Sequence, residues 1–548
     1  MKPIPTITTV ERTLFWVLLA LNLVPIWSVH YFLTGDGPCH LYNARVLLDF
    51  LHGGEARSFY SQWMYLNTAL EPNWFSHATM ALLMELGFQP FLAEKLLQTF
   101  YVLAFGLGLR FLIRQLNPNG LFLSTFGLLL TYHHVFQMGF YNYSCSLALM
   151  FWVSGHWLKY RYRWTAGRVL LQALGFVLLY FCHPIGLLFS FLIIGSIFLV
   201  ETGIHLNRKM DGESQKISWR PLWKNALASS LAALPAILLF TTYVLRKGLN
   251  PSPRSESNHR IWVELRELSA LINISASERF WAIGVAILFV LLALSALRFK
   301  FRKDNLRWTD VLFLVFVIAL LLYFNQPGGI AGAGVLPIRL QLLPYLMLLL
   351  WLASVDFSNR VQARVLALTV IAFIGFMVIR IPHYQMASDA AKEYVSAAAV
   401  IPDNVSVLPI SFDHNGRHAS GRMVADGIWL FMHAGDYIGI ERRVVMLGNY
   451  EAATHNFPLI WRWERNPFER LGKDGGYFEG QPPIANLLDY PKNAENATID
   501  YVVTWCLDEK KFGDHPFIQS MEQQLAQGYD LVFTSENGYA KTFRRKGF

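Results

Sequence analysis

An acid flanked by glycines, directly after a long apolar run, is the first place in this sequence suited to chemistry. The stretch reads Gly35-Asp36-Gly37-Pro38-Cys39-His40-Leu41-Tyr42-Asn43-Ala44. Its glycines and proline suit a tight turn that presents the carboxylate. Placed so, Asp36 could take a proton as a general base or hold a divalent ion. The same residues allow a plainer role. Pro38 fits the first turn of a following helix, and Asp36 then sits near its cap. His40 lies four residues on, so both side chains share one helix face.

The next candidates are cations and imidazoles. Arg339 stands in Pro337-Ile338-Arg339-Leu340-Gln341, after the glycine-rich stretch Gln326 to Gly334. Its planar fork matches phosphate oxygens, although an arginine at the end of an apolar run also serves as a snorkelling anchor. Lys95, at the start of another apolar run, offers a second positive charge, whereas Arg45 suits a solvated helix face. His133, His134 and His183 fall beside turns on the same side of the chain's apolar runs. Each is equally suited to a satisfied polar position between helices. Asp36, His40 and His183 have the donor types of a zinc site, but no tight ligand motif joins them. Three C-terminal clusters, Asp413-His414, His433 with Asp436, and Asn449-Tyr450-Glu451, read mainly as turns and packing, with a role in holding an acceptor as the functional alternative. No Walker loop, dinucleotide fingerprint or nucleophile motif is present.

The elements that must position these groups are membrane helices. Of 548 residues, 54% are hydrophobic. They gather in runs of about 15 to 23 residues, the length that crosses a hydrocarbon core of about 30 Å. Eleven spans are expected, at 13–33, 92–113, 121–138, 143–158, 168–182, 185–204, 224–245, 279–298, 308–324, 338–355 and 364–381. The first follows Lys2 and Arg12 but is too long for a signal peptide and lacks a small-residue cleavage site, so it is read as retained. The net charge of +9 is explained by short basic connections rather than by nucleic-acid binding. With the N-terminus inside, Arg110 and Arg114, Lys159 to Arg168, Arg208 to Lys224, Arg298 to Arg307, and Arg360 with Arg364 all fall on the cytoplasmic side. The loop after Arg246 is also basic and falls outside.

This orientation puts the C-terminus outside. Residues 383–548 hold β-like runs at Asn404–Ile410, Arg443–Leu447, Tyr501–Trp505 and Tyr529–Thr534, with helical stretches at Ser388–Val400 and Phe517–Gln527. An extracytoplasmic α/β domain is expected there, following a transmembrane domain over 1–382 that includes an outer loop at 34–90. Leu41–Leu51 and Trp74–Leu86 are expected helices in that loop. Cys39, Cys145, Cys182 and Cys506 show neither metal spacing nor a disulfide framework.

This arrangement resembles the GT-C glycosyltransferases, including bacterial aminoarabinose transferases and protein O-mannosyltransferases. There a first helix leads to a large outer loop with an acid at its start, an aromatic residue or histidine, and a helix. Asp36, with His40 and Tyr42 behind it, matches that place. Glu71-Pro72-Asn73-Trp74 resembles the proline-containing entry to the second loop helix, continued by Leu86-Gly87, Ala93, Arg110 and Arg114. The resemblance covers most of the chain in topology. Many members carry a second acid in the next outer turn, where Gly139-Phe140-Tyr141-Asn142-Tyr143 offers Asn142 instead. That departs from a two-carboxylate metal site. Pairing of Asp36 with Glu71 is the remaining two-acid arrangement, and Asp36 acting alone as base is more economical.

The resemblance implies an inverting glycosyltransferase that moves a sugar from a polyprenyl-phosphate carrier to a glycan, lipid or protein acceptor outside a bacterial inner membrane. Asp36 would be catalytic, with His40, Tyr42, Glu71, Lys95, Asn142, His183 and Arg339 around the substrates. No cofactor is required by this reading, and a divalent metal ion is the one candidate. A transporter or flippase would instead show repeated halves or charges in mid-span. A non-catalytic assembly protein would tolerate loss of the second acid.

Overall fold

The computed structural model describes residues 7–210, 219–303, 306–472, 478–495, 497–507 and 515–548. Among them, eight helices are long and apolar enough to cross a membrane: Thr8–Trp27, Pro90–Leu116, Pro184–Leu206, Arg220–Lys247, Ala276–Lys300, Trp308–Asn325, Leu336–Ala353 and Asn359–Val400. Ala166–Cys182 is a shorter apolar helix. The chain is an integral membrane protein.

Two expected spans differ. The segment expected as a span at 121–138 is broken into short pieces, Phe122–Gly127, Leu128–Leu130 and His134–Gln137. Irregular backbone at membrane depth is tolerated where protein rather than lipid surrounds it, and nearly every residue here is buried. Gly120 and Gly127 let it pack: a Cβ on the first would meet the Ala353 carbonyl at 2.1 Å, and on the second the Leu109 side chain at 2.3 Å. The expected span at 143–158 is one continuous helix, Tyr141–Tyr160, but Ser144, Ser146 and Ser154 are buried within it and it packs inside the bundle.

The outer loop holds the two expected helices, Gly37–His52 and Phe75–Glu85. Between them lies a short strand, β1 (Met64–Leu66). The C-terminal region contributes β2 (Ser406–Ser411), β3 (Val445–Met446), β4 (Leu459–Trp461), β5 (Tyr501–Trp505), β6 (Tyr529–Thr534) and β7 (Ala540–Arg545). Five of these form a mixed sheet in the order β3-β2-β5-β7-β6, with β2 parallel to both neighbours and β7 antiparallel to both of its own. β5, the middle strand, is largely apolar because both of its faces are covered, and every residue of it is buried.

No break separates bundle and sheet at residue 383. The helix Asn359–Val395 runs 37 residues without interruption. At 1.5 Å per residue it is about 55 Å long, well beyond a hydrocarbon core of about 30 Å. The outer loop is fastened to the C-terminal region in turn. β1 pairs antiparallel with β4, Met64 opposite Trp461. The Tyr42 hydroxyl donates to the Val444 carbonyl at 3.0 Å and accepts from the Met446 amide at 3.1 Å.

Candidate active site

The acidic turn is held by backbone rather than by its own side chain. The Gly35 amide donates to the Gln137 carbonyl at 3.0 Å, and the Asp36 amide to the Met138 carbonyl at 2.8 Å. Asp36 precedes the helix Gly37–His52 but makes no side-chain cap bond. The plainer capping role is therefore absent, and the carboxylate is directed elsewhere. Tyr450 donates its hydroxyl to Asp36 Oδ2 at 2.8 Å, and His433 Nε2 lies 3.8 Å from Oδ1. Burial pushes the Asp36 carboxyl up to about 6, against the pull of His40 and the Tyr450 hydroxyl. A carboxylate with that affinity for protons is a better base than an ordinary aspartate and is still ionised at neutral pH. Burial also drives the His433 imidazole down to about 3, so it stands beside Asp36 as a neutral ring.

Asp36 and His40 line a cavity of about 400 Å³ with Asn142, His183, Tyr243 and Arg339. Arg339 is the cationic wall. Its guanidinium lies 4.7 Å from the centre of the Phe140 ring, and Nη1 is 3.1 Å from His183 Nε2. Among the described residues no carboxylate pairs with it, and its buried Nε has no hydrogen-bond partner. A half-buried cation with no carboxylate in contact is suited to an anionic ligand. The other wall is apolar. Leu188, Phe240, Val244 and Leu336 line it, and Leu188 is 44% exposed on a candidate membrane span, so the cavity reaches the membrane-facing surface.

Of the residues singled out in the sequence, Asp36, His40, Asn142, His183 and Arg339 meet in this cavity. Asn142 is also spent on structure: its amide donates to the Asn73 carbonyl at 2.9 Å and its oxygen accepts from the Ser76 amide at 2.7 Å. Three others lie away from the cavity. Tyr42 serves the joint with the sheet. Glu71 is buried against Arg246 at 2.8 Å and Lys247 at 3.7 Å, so it makes no acid pair with Asp36. Lys95 turns to the Val29 carbonyl and the Trp27 ring. The pairing of Asp36, His40 and His183 as metal donors also does not form, because His183 Nε2 faces Arg339.

His40 instead meets His77, which sequence reasoning missed, and Glu451, which it placed in a cluster read mainly as a turn. His40, His77 and Glu451 bring one donor atom each to within 4.8 Å of one another, all buried. Both imidazoles ion-pair with the Glu451 carboxylate, His77 Nε2 at 2.8 Å from Oε2. Burial alone would raise the Glu451 carboxyl, but the two imidazoles hold it well below the ordinary range. Nothing local marks His77, which sits on an amphipathic helix. Glu451 follows Tyr450 in a cluster that looks like a turn.

Two solved structures share this architecture. Both are of ArnT from Cupriavidus metallidurans, one in the apo state and one bound to undecaprenyl phosphate. The first matches with a TM-score of 0.52 over 96% of this chain and 97% of that one. The second matches with 0.53 over 98% and 97%. The chain has the fold of these ArnT structures. Identity is 10% in both cases, so the likeness to ArnT is one of fold, over nearly the whole length of both chains. No family model and no curated sequence matches the chain. The expectation drawn from Asp36, His40 and the Glu71-Pro72-Asn73-Trp74 turn is thus met at the level of fold, although Glu71 itself has a structural place.

Proposed function

We propose that this protein is an inverting glycosyltransferase that moves a sugar from a polyprenyl-phosphate donor to an acceptor at the outer face of a bacterial inner membrane. The observation that carries the reading is one cavity with a basic carboxylate at one side, an unpaired arginine at another, and an apolar wall reaching the membrane surface. The GT-C fold, found in an ArnT structure that holds undecaprenyl phosphate, supports it.

In this reading the prenyl chain lies along Leu188, Phe240 and Val244, and the phosphate meets Arg339. The acceptor hydroxyl attacks the anomeric carbon from the side opposite the phosphate, and Asp36 takes its proton. The carbon–oxygen bond to the phosphate breaks, its electron pair leaves with the phosphate, and Arg339 stabilises that charge where it develops. With the N-terminus inside and an odd number of crossings, this reading puts the cavity and residues 383–548 in the periplasm. The C-terminal region contributes Tyr450 and His433 beside Asp36 and shapes the acceptor side.

The test is transfer from radiolabelled polyprenyl-phosphate sugars by purified wild type and Asp36→Asn. Removal of the base should lower turnover by about 10²–10⁴-fold, with the melting temperature kept. A well-folded wild type that neither turns over nor binds any donor in a broad panel would overturn the reading in favour of transport or scaffolding.

A further inference from the structure

We infer that His40, His77 and Glu451 form a binding site for one divalent transition-metal ion, with Zn²⁺ the best match. It is separate from the two-carboxylate arrangement that Asp36 and Glu71 would have made. The argument starts from protons. His77 Nδ1 lies 3.2 Å from the Asn73 carbonyl, which only accepts, and 3.4 Å from the Ser76 hydroxyl, so the closer contact favours the ring proton on Nδ1. The Nε2 lone pair then faces Glu451 Oε2 at 2.8 Å and His40 Nδ1 at 3.3 Å. In neutral His77 the first contact sets two lone pairs against each other. Protonating His40 alone does not relieve it. Protonating both rings lets each donate to its own Glu451 oxygen, but it sets two positive charges 3.3 Å apart on one acid.

A single cation between the three donors, which lie within 4.8 Å of one another, satisfies the same lone pairs without the extra protons. For Zn–N bonds of about 2.0–2.1 Å in a tetrahedron, neighbouring donors lie about 3.3–3.4 Å apart. The two imidazole nitrogens are separated by 3.3 Å, while Glu451 Oε2 stands closer, 2.8 Å from His77 Nε2, and the carboxylate draws back by about 0.5 Å to coordinate. The surroundings match a ligand set too. The Asn73 carbonyl fixes the His77 tautomer, Asn43 donates to Glu451 Oε2, and the Phe457 ring packs 5.9 Å from His40 and 5.6 Å from His77. Two imidazoles and a carboxylate suit zinc better than magnesium or calcium, which favour all-oxygen shells. The ion would join the helices Gly37–His52 and Phe75–Glu85 to the C-terminal region. It would also fix His40 one turn from Asp36, beside the cavity.

The experiment measures metal rather than transfer. Full-length protein carrying a tag without histidines is purified in detergent without chelator, and its metal is counted by mass spectrometry. Wild type and Asp36→Asn should each hold about one zinc per chain, and His77→Ala should hold almost none. Protein stripped by chelator should melt at a lower temperature, recover with Zn²⁺, and show tetrahedral absorption bands with Co²⁺. If His77→Ala does not fold, His77→Gln and the stripped wild type decide the question. Folded wild type that carries no metal and takes up neither Zn²⁺ nor Co²⁺ overturns the inference, as does full zinc content in folded His77→Ala. Zinc without transfer activity would sink the transferase reading and leave this site standing; transfer without zinc would do the reverse.

Discussion

Gly139→Ala tests whether Asp36 is positioned by the backbone opposite it. Gly139 has a φ of +90°, and a Cβ there would lie 2.6 Å from the Asp36 amide nitrogen, 2.7 Å from that of Gly37 and 3.0 Å from the Asp36 Cα. All three are backbone atoms, so no flexible side chain can give way. Restoring an ordinary contact of about 3.4 Å moves the acidic turn back by about 0.8 Å. A misplacement of about 1 Å at a reacting group costs about 10²-fold in rate. The left-handed backbone adds its own cost, about 1–2 kcal/mol, which acts on stability. Gly87→Ala separates the two effects. Its φ is +93°, yet nothing lies within 4 Å of the added Cβ, so it carries the strain without the displacement. Transfer rates and melting curves for both variants form the assay. Gly139→Ala should lose about 10²-fold in kcat, while Gly87→Ala melts lower but turns over normally. Wild-type turnover in folded Gly139→Ala, or equal losses in the two variants, would refute the positioning argument.

The remaining predictions probe charge. Arg339→Gln should lower kcat/KM by about 10²–10³-fold, and Arg339→Lys should restore part of the loss, measured as donor-dependent transfer. Lys95→Met should leave turnover within about threefold of wild type, because its ammonium serves the Val29 carbonyl outside the cavity; a large loss would return it to the site. Arg380 and Glu278 form a buried pair at 2.8 Å, and Glu278 also accepts from the amides of Asn273, Ile274 and Ser275. Arg380→Met should therefore destabilise by about 3–5 kcal/mol in denaturant melts, with Arg380→Met/Glu278→Gln recovering some of it.

Legibility in the sequence followed the range of the interaction. Apolar runs mark helices because lipid contact is a local property, and Asp36 and Arg339 stood out because each lies at the end of such a run. The break within 121–138 was hidden: its residues are as apolar as a span's, and only burial by neighbours lets the backbone depart from a helix. β7, Ala-Lys-Thr-Phe-Arg-Arg, carries too much charge to read as a strand, yet it pairs along its length with β5 and β6. His77 and Glu451 were invisible as partners because 374 positions separate them. Tyr42, Glu71 and Lys95 had suitable chemistry and the wrong direction, since spacing fixes a helix face but not which neighbour that face meets.

The pairing of β1 with β4 sets an order on the making of this protein. Met64 and Trp461 are roughly four hundred residues apart in the chain, so the contact waits for a long closure. During synthesis the first loop emerges early and then stands with a bare strand edge, and with His40 and His77 lacking their acid. Tyr450 and Glu451 arrive only after the membrane helices are in place. A chain that stops short of residue 451 keeps its helices but lacks Tyr450 and Glu451, so its cavity is unfinished. Completion of the polypeptide and assembly of the site are the same event.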